Sequence, residues 1–315
     1  MHMLKNIKQL AIMTLTISLS QPLWADTSVD QRLLDASSGG TVEQVVKLIE
    51  QGANIDAVGR YGKRPLMNAA ESGDTDTVSV LLSLGAEINA RTRTGDTALT
   101  LAVENGHAKI TALLISQGAN IHDRKRTGED SLMIAAKRGD ALIAAQLLEF
   151  GADVRSSDRK GNAALMYAIR AGHTDVVKTL YHYSDLITPD VPNNAGVTPL
   201  MLAIHKKQDG IINIMLANAK NINFQDNFGS AALHYATESN NLKVIKNLVK
   251  HHANINIQDQ EGMTPLMRAV STGNEAIVSY LLSNGADPSL KNSNEKTAKS
   301  IAQDLGKQNI LKLFQ

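Results

Sequence analysis

Apolar positions along this chain recur on two nested periods. In the stretch from Gly62 to Thr94, Leu66, Ala69 and Ala70 fall at i, i+3 and i+4, the spacing of one face of a helix, and Val78, Leu81 and Leu82 repeat it. Between the stripes lies the polar run Glu71-Ser72-Gly73-Asp74. The pattern predicts a helical hairpin. Pro65 suits the first turn, where no N–H is required, Gly73 a left-handed stop, and Asp74 or Asp76 the cap of the second helix. Gly85 closes the unit, and an extended arm with a tight turn leads to the next.

The longer period is set by Gly62, Gly95, Gly128, Gly161, Gly196, Gly229 and Gly262, which are 33 residues apart except for one step of 35. Four residues after each stands a leucine (Leu66, Leu99, Leu132, Leu165, Leu200, Leu233, Leu266), and Leu33 extends the ladder one step back. Helices of about two turns are unstable alone in water. Such units must therefore stack and bury one another's apolar faces. Alanines at 69, 102, 135, 168, 203, 236 and 269 let the first helices approach closely.

The residues of the repeat resemble the ankyrin repeat. Thr198-Pro199-Leu200-Met201-Leu202-Ala203, Thr264-Pro265-Leu266-Met267-Arg268-Ala269 and Ala232-Leu233-His234-Tyr235-Ala236 match its opening, Gly106-His107 and Gly172-His173 its middle, and Gly118-Ala119-Asn120 and Gly285-Ala286-Asp287 its end. The resemblance implies an all-α repeat solenoid of helix-turn-helix units with projecting β-turn fingers. A single array would fill 26–315: an N-terminal cap repeat 29–61, full repeats 62–94, 95–127, 128–160, 161–195, 196–228, 229–261 and 262–294, and a C-terminal cap 295–315. Lys299, where the leucine ladder would continue, gives the last unit the polar outer face a cap needs.

Three departures stand out. The signature histidine is methionine at 67, 133, 166, 201 and 267, with only His234 kept. The closing glycine is replaced by Ser184, Ala219 and His252 in three successive units. The fifth unit is longer, and its connection from Ser184 to Ala195 carries Pro189 and Pro192. A less regular junction is expected there, forming a bend, a binding loop or a tolerated surface insertion.

Hydrophobic residues make up 43% and aromatics 3%, which fits a folded, narrow core of Ala, Leu, Ile and Val. Residues 1–25 read as a secretory signal peptide. Lys5 and Lys8 precede an uncharged run from Leu10 to Ser20, and Ala25 offers a small residue before a cut. Cleavage would move the net charge from +1 to −1 by removing two lysines, and would remove Trp24, the single tryptophan. No later stretch is long enough to span a membrane. With no cysteine, disulfides and thiolate chemistry are excluded.

No catalytic, metal or cofactor pattern is visible. Methionines on neighbouring helices 8–10 Å apart (a spacing of about one interaxial distance) cannot share an ion. His182 near Asp185 lacks a third ligand.

The turn fingers of the first half are basic: Arg60, Lys63 and Arg64; Arg91 and Arg93; Arg124, Lys125 and Arg126; Arg155, Arg159 and Lys160. In register they form a positive ridge that attracts acidic partners. Alternatively they are solvated fingertips, diluted by Asp96, Asp123, Glu129, Asp130 and Asp158. On the concave face Tyr167 and Tyr235 are rigid amphipathic anchors of the kind interfaces favour, and Tyr61 sits on the first finger.

The resemblance to a bacterial, exported ankyrin repeat protein implies a non-enzymatic protein-binding scaffold, periplasmic or secreted. Two other roles are an inhibitor or immunity-like partner of an exported enzyme and a secreted effector that binds host proteins. The expected partner is another protein, one with an acidic surface if the ridge is the site; nucleic acid is not expected.

Overall fold

The computed structural model describes residues 28–183 and 189–315. The segment read as a signal peptide, Ser184 and Asp185 therefore lie outside the described residues. Eighteen α-helices stand in nine consecutive hairpins among the described residues. They pair Val29–Ala36 with Val42–Glu50, Pro65–Ser72 with Thr75–Ser83, Ala98–Asn105 with Ala108–Ser116, and Ser131–Arg138 with Ala141–Glu149. Ala164–Ala171 pairs with Thr174–Tyr183, Pro199–His205 with Asp209–Asn218, Ala232–Glu238 with Leu242–Lys250, Pro265–Thr272 with Glu275–Ser283, and Ala298–Asp304 with Gln308–Leu311. First helices pack on first helices and second on second, which makes a solenoid.

The leucine ladder lies inside. Leu33, Leu66, Leu99, Leu132, Leu165, Leu200, Leu233 and Leu266 are all buried, and one continuous core runs from Leu33 to Ile310. The alanine ladder has no exposed surface, so first helices meet almost backbone to backbone. Lys299 is exposed on the terminal unit.

Helix starts are capped as the sequence leads one to expect. Asp74 Oδ1 accepts the Thr77 N–H at 3.0 Å, while Asp76 sits inside the first turn. Thr198 and Thr264 cap helices that begin with a proline. The middle histidines brace neighbours. The His107 and His173 rings reach back to the Glu71 and Lys137 carbonyls (3.0 and 3.2 Å), at the ends of the preceding repeats' first helices.

The irregular stretch has a different makeup from the one the glycine count implied. His252 does take the left-handed conformation (φ 64°). Ala219 does not: it leaves its helix in an extended conformation (φ −69°, ψ 131°) and so avoids the strain that a non-glycine residue bears in the left-handed region. Two further non-glycine residues are left-handed, Lys207 and Asn240, both at φ 55°. They fill the slot held elsewhere by Gly73, Gly106, Gly139, Gly172 and Gly273. The connection is described from Pro189 onward. There Asp190 Oδ2 accepts the Lys220 and Asn221 N–H groups at 2.7 and 3.0 Å, which ties it to the following arm. Asp56, Asn89, Asn223 and Asn256 make the equivalent bond in other repeats. A crevice of about 250 Å³ lies at this junction between Leu165, Met166, Val191 and Pro192.

One junction carries a buried side chain that bonds across two repeats. His234 has no exposed surface. Its Nδ1 accepts the Ala231 N–H and its Nε2–H reaches the Met263 carbonyl of the next repeat, each at 3.0 Å. Burial lowers its pKa below 6.5, as does the charge of Arg268, against the opposing pull of the Met263 carbonyl and of Asp259 and Asp226. A histidine held neutral in the fold binds fewer protons than the unfolded chain. Its contribution is therefore complete above pH 6.5 and declines as pH falls below that value toward the lowered folded pKa. His234→Met, the residue most other repeats carry, is expected to cost about 1 kcal/mol at pH 7.5 through the lost inter-repeat bond. Urea titrations at pH 7.5 and 5.5 should show a smaller pH loss in the variant than in the parent chain.

Candidate functional site: the fingertips

Most fingers are short turns whose root is closed by one side chain. Three residues before the period glycine, Asp158, Asn193, Asp226 and Asp259 each accept two backbone N–H groups of their own turn, as does Asn292 three residues before Glu295, all at 2.8–3.1 Å. Thr92 does the same with its hydroxyl. The turn glycines are required twice over. Gly229 is at φ 78°, and a Cβ there would stand 2.6 Å from the Gln260 nitrogen of the next finger.

That close approach comes from a backbone ladder between fingers. At five fingers the N–H two residues before the glycine donates to the finger before it: Arg93 to the Tyr61 carbonyl (3.0 Å), Arg126 to Thr94 (2.8 Å), Asn194 to Lys160 (3.0 Å), Asn227 to Ala195 (3.1 Å) and Gln260 to Phe228 (3.0 Å); the Arg159 N–H makes no such bond among the described residues. The fingers form a fixed rank.

The side chains at this slot divide the rank into two halves. Asn194, Asn227 and Gln260 each use their amide to bond the carbonyl of the same slot in the preceding finger, at 3.0, 3.0 and 2.9 Å. Arg60, Arg93, Arg126 and Arg159 occupy that slot in the first half. Their guanidiniums are exposed and have neither a hydrogen bond nor an ion pair among the described residues. Lys160 is likewise exposed and unpaired among them.

The other basic residues of these fingers are held internally. Lys63 pairs with Glu71 (2.5 Å), Arg64 with Glu87 (2.5 Å) and Asp56 (3.4 Å), and Arg91 with Asp123 (3.2 Å). Arg124 reaches Ser156 and the Ser157 carbonyl, and Arg155 lies 3.7 Å from Asp153. Lys125 sits half-buried between Asp96 (2.8 Å) and Glu104 (2.6 Å). Burial works against the charge of both Asp96 and Lys125. For Asp96 the Lys125 ammonium and the Thr94 and Thr92 hydroxyls outweigh it and hold the carboxyl low; for Lys125 the Asp96 and Glu104 carboxylates raise the ammonium.

The acids that seemed to dilute the ridge all have other partners. Asp96 is on Lys125 and Asp123 on Arg91. Glu129 is on Lys137 and Thr127, and Asp130 caps a helix at Met133. Asp158 closes its turn.

The two concave tyrosines require a correction. Tyr167 is only 8% exposed, and its hydroxyl donates to Asp158 Oδ2 at 2.8 Å; burial first, and then that carboxylate, raise its pKa. Tyr235 is half-buried and donates to Asp226 Oδ2 at 2.7 Å. Both are struts from the first helix to the root of the finger nine residues earlier. Arg268 makes the same reach to Asp259. The signal for this was present as Asp at the root and Tyr or Arg nine positions on, which the repeat pattern alone does not single out. Tyr61, by contrast, is 73% exposed at the first fingertip.

A family model for ankyrin repeats in three copies matches residues 33–125, 113–192, 132–226, 200–292 and 244–314. The chain belongs to the ankyrin repeat family. Among solved structures it is similar to the ankyrin repeat domain of Bcl-3, a unique member of the IkappaB protein family. The identity is 24% and the TM-score 0.64, over 70% of this chain and 98% of that one. At that identity the likeness is one of fold. No curated protein matches the chain in sequence. Ankyrin repeats are protein-binding modules, and the first four fingers of this one carry a row of four arginines with no partner among the described residues. Among the described residues no group of three or more His, Asp or Glu could hold a metal ion, and no helix is long and apolar enough to cross a membrane.

If the slot matters structurally as its neighbours indicate, Arg126→Asn should restore the missing brace to the Arg93 carbonyl. The expected gain is about 0.5–1 kcal/mol in urea denaturation, the net value of one hydrogen bond.

Proposed function

We propose that the protein is a non-enzymatic scaffold that holds another protein along the arginine fingertips of its first four repeats, and that it acts after export, in the periplasm or outside the cell. One observation carries the reading of the site. A slot used for an inter-finger brace at Asn194, Asn227 and Gln260 is given at Arg60, Arg93, Arg126 and Arg159 to charges with no partner among the described residues. Unmatched like charges in a row favour association with an acidic surface and speed encounter with it. Lys160 and Tyr61 extend the same ridge. Lys63, already paired with Glu71, contributes less field.

Export rests on the charged, apolar and small-residue order of residues 1–25 and is consistent with the absence of cysteine. The exported product should lack Trp24, so its emission should be that of tyrosine alone. A tryptophan spectrum, with N-terminal sequencing that begins at Met1, would refute processing.

The site is tested by reversing charge at Arg93, Arg126 and Arg159 to glutamate together. The helical spectrum should be unchanged, because all three side chains are exposed. Partner capture from an envelope fraction should fall by more than about tenfold, with the remaining association rate insensitive to salt. Undiminished capture would move the site away from the fingertips.

A further inference from the structure

The four arginines form a ruler as well as a charge. They recur at steps of 33 residues with no insertion, because the longer repeat begins after Arg159. The third and fourth of these fingers are two-stranded hairpins, with antiparallel bridges from Arg124 to Asp130 and from Ser157 to Ala163, and the first turns through a short 3-10 segment, Arg60–Gly62. The first three of these fingers are joined backbone to backbone, by Arg93 N–Tyr61 O and Arg126 N–Thr94 O, and at the fourth the Arg159 nitrogen stands 2.9 Å from where a Cβ on Gly128 would be. Two strands per finger, each about 4.8 Å from the next, give a pitch of about 10 Å. Stacked helices about 8–10 Å apart give the same pitch. The rank from Arg60 to Arg159 thus spans three steps, about 30 Å.

A partner that meets all four must present carboxylates at that interval on one face. A flat β-strand reaches about 10 Å in three residues, but residues three apart point to opposite faces. A polyproline II helix has three residues per turn and rises about 3.1 Å per residue, so every third side chain lies on one line about 9.3 Å from the next. We infer that the arginine rank recognises an acidic segment in the polyproline II conformation, with Asp or Glu at every third position over about ten residues. The inference rests on the fingertip ridge being the binding site. Tyr61, exposed beside Arg60, offers an aromatic face for a proline ring at one end of the track. The remaining fingers cannot extend the register, because Asn194, Asn227 and Gln260 are committed to bracing.

The test uses the purified protein and three labelled peptides in fluorescence anisotropy: (Glu-Pro-Pro)4, a peptide of the same composition with its four glutamates contiguous, and a helical peptide with glutamate at every seventh position. The periodic peptide should bind about fivefold or more tighter than the contiguous one, the value of one additional surface ion pair. Arg126→Asn, which breaks the register while keeping the fold, should remove most of that preference. Equal affinity for the first two peptides would overturn the register and leave the acidic ridge standing. Preference for the helical peptide would overturn the polyproline II assignment. No binding of any peptide would overturn the ridge itself.

Discussion

Each repeat is completed by the next, and the completion is made at two places at once. In the core, the alanine ladder of the first helices has no exposed surface, so the backbones of adjacent repeats touch and the leucines between them are closed off. At the tips, one N–H enters the preceding finger at every junction from Arg93 to Ser293 except that of Arg159. A hairpin of two short helices has too little buried area to stand alone. Its geometry is therefore dictated by neighbours, and the position of any fingertip side chain follows from the stack rather than from its own loop. This is why the glycine before Leu233 tolerates no side chain: the next finger's nitrogen stands where a Cβ would be.

The same constraint sorts the charges. A carboxylate at a finger root is occupied with its own turn N–H groups and, where a Tyr or Arg stands nine residues on, with that side chain too. Lys63, Arg91 and Lys125, one to three residues from the tip slot, fall within reach of the arms and helices, and they find partners there. The tip slot points away from both. There a positive residue remains uncompensated among the described residues, and the first four repeats put arginine in it every time.

Much of the architecture was readable before any coordinates, because repetition multiplies a weak signal. A single glycine followed by a leucine says little, but the recurrence of the pair fixes the unit, its order and its two helices. Side chains whose role depends on a second position were less legible. Tyr167 and Tyr235 looked like free aromatic anchors until Asp158 and Asp226 were seen to hold their hydroxyls. Lys125 and Arg126 are adjacent and alike in charge, yet one is half-buried between two carboxylates and the other is free among the described residues. Ala219 stands where other units close on a glycine and instead leaves its helix extended, while His252, Lys207 and Asn240 take the left-handed conformation. A one-letter pattern records what can occupy a turn; it does not record which way the chain leaves it.

The contrast within one slot also bears on affinity. An asparagine that spans two fingers stiffens the stack, and an arginine that spans nothing does not, so the first half forgoes about one modest hydrogen bond per repeat. That loss is tolerable only because the backbone ladder already fixes the fingers. The result is a set of charges whose main chains are ordered at folding, leaving only side-chain freedom to be lost on association. A flexible basic tail with the same four charges would have to order its backbone at the moment of contact. It would accept acidic partners of any spacing, whereas a fixed rank accepts those that match its pitch.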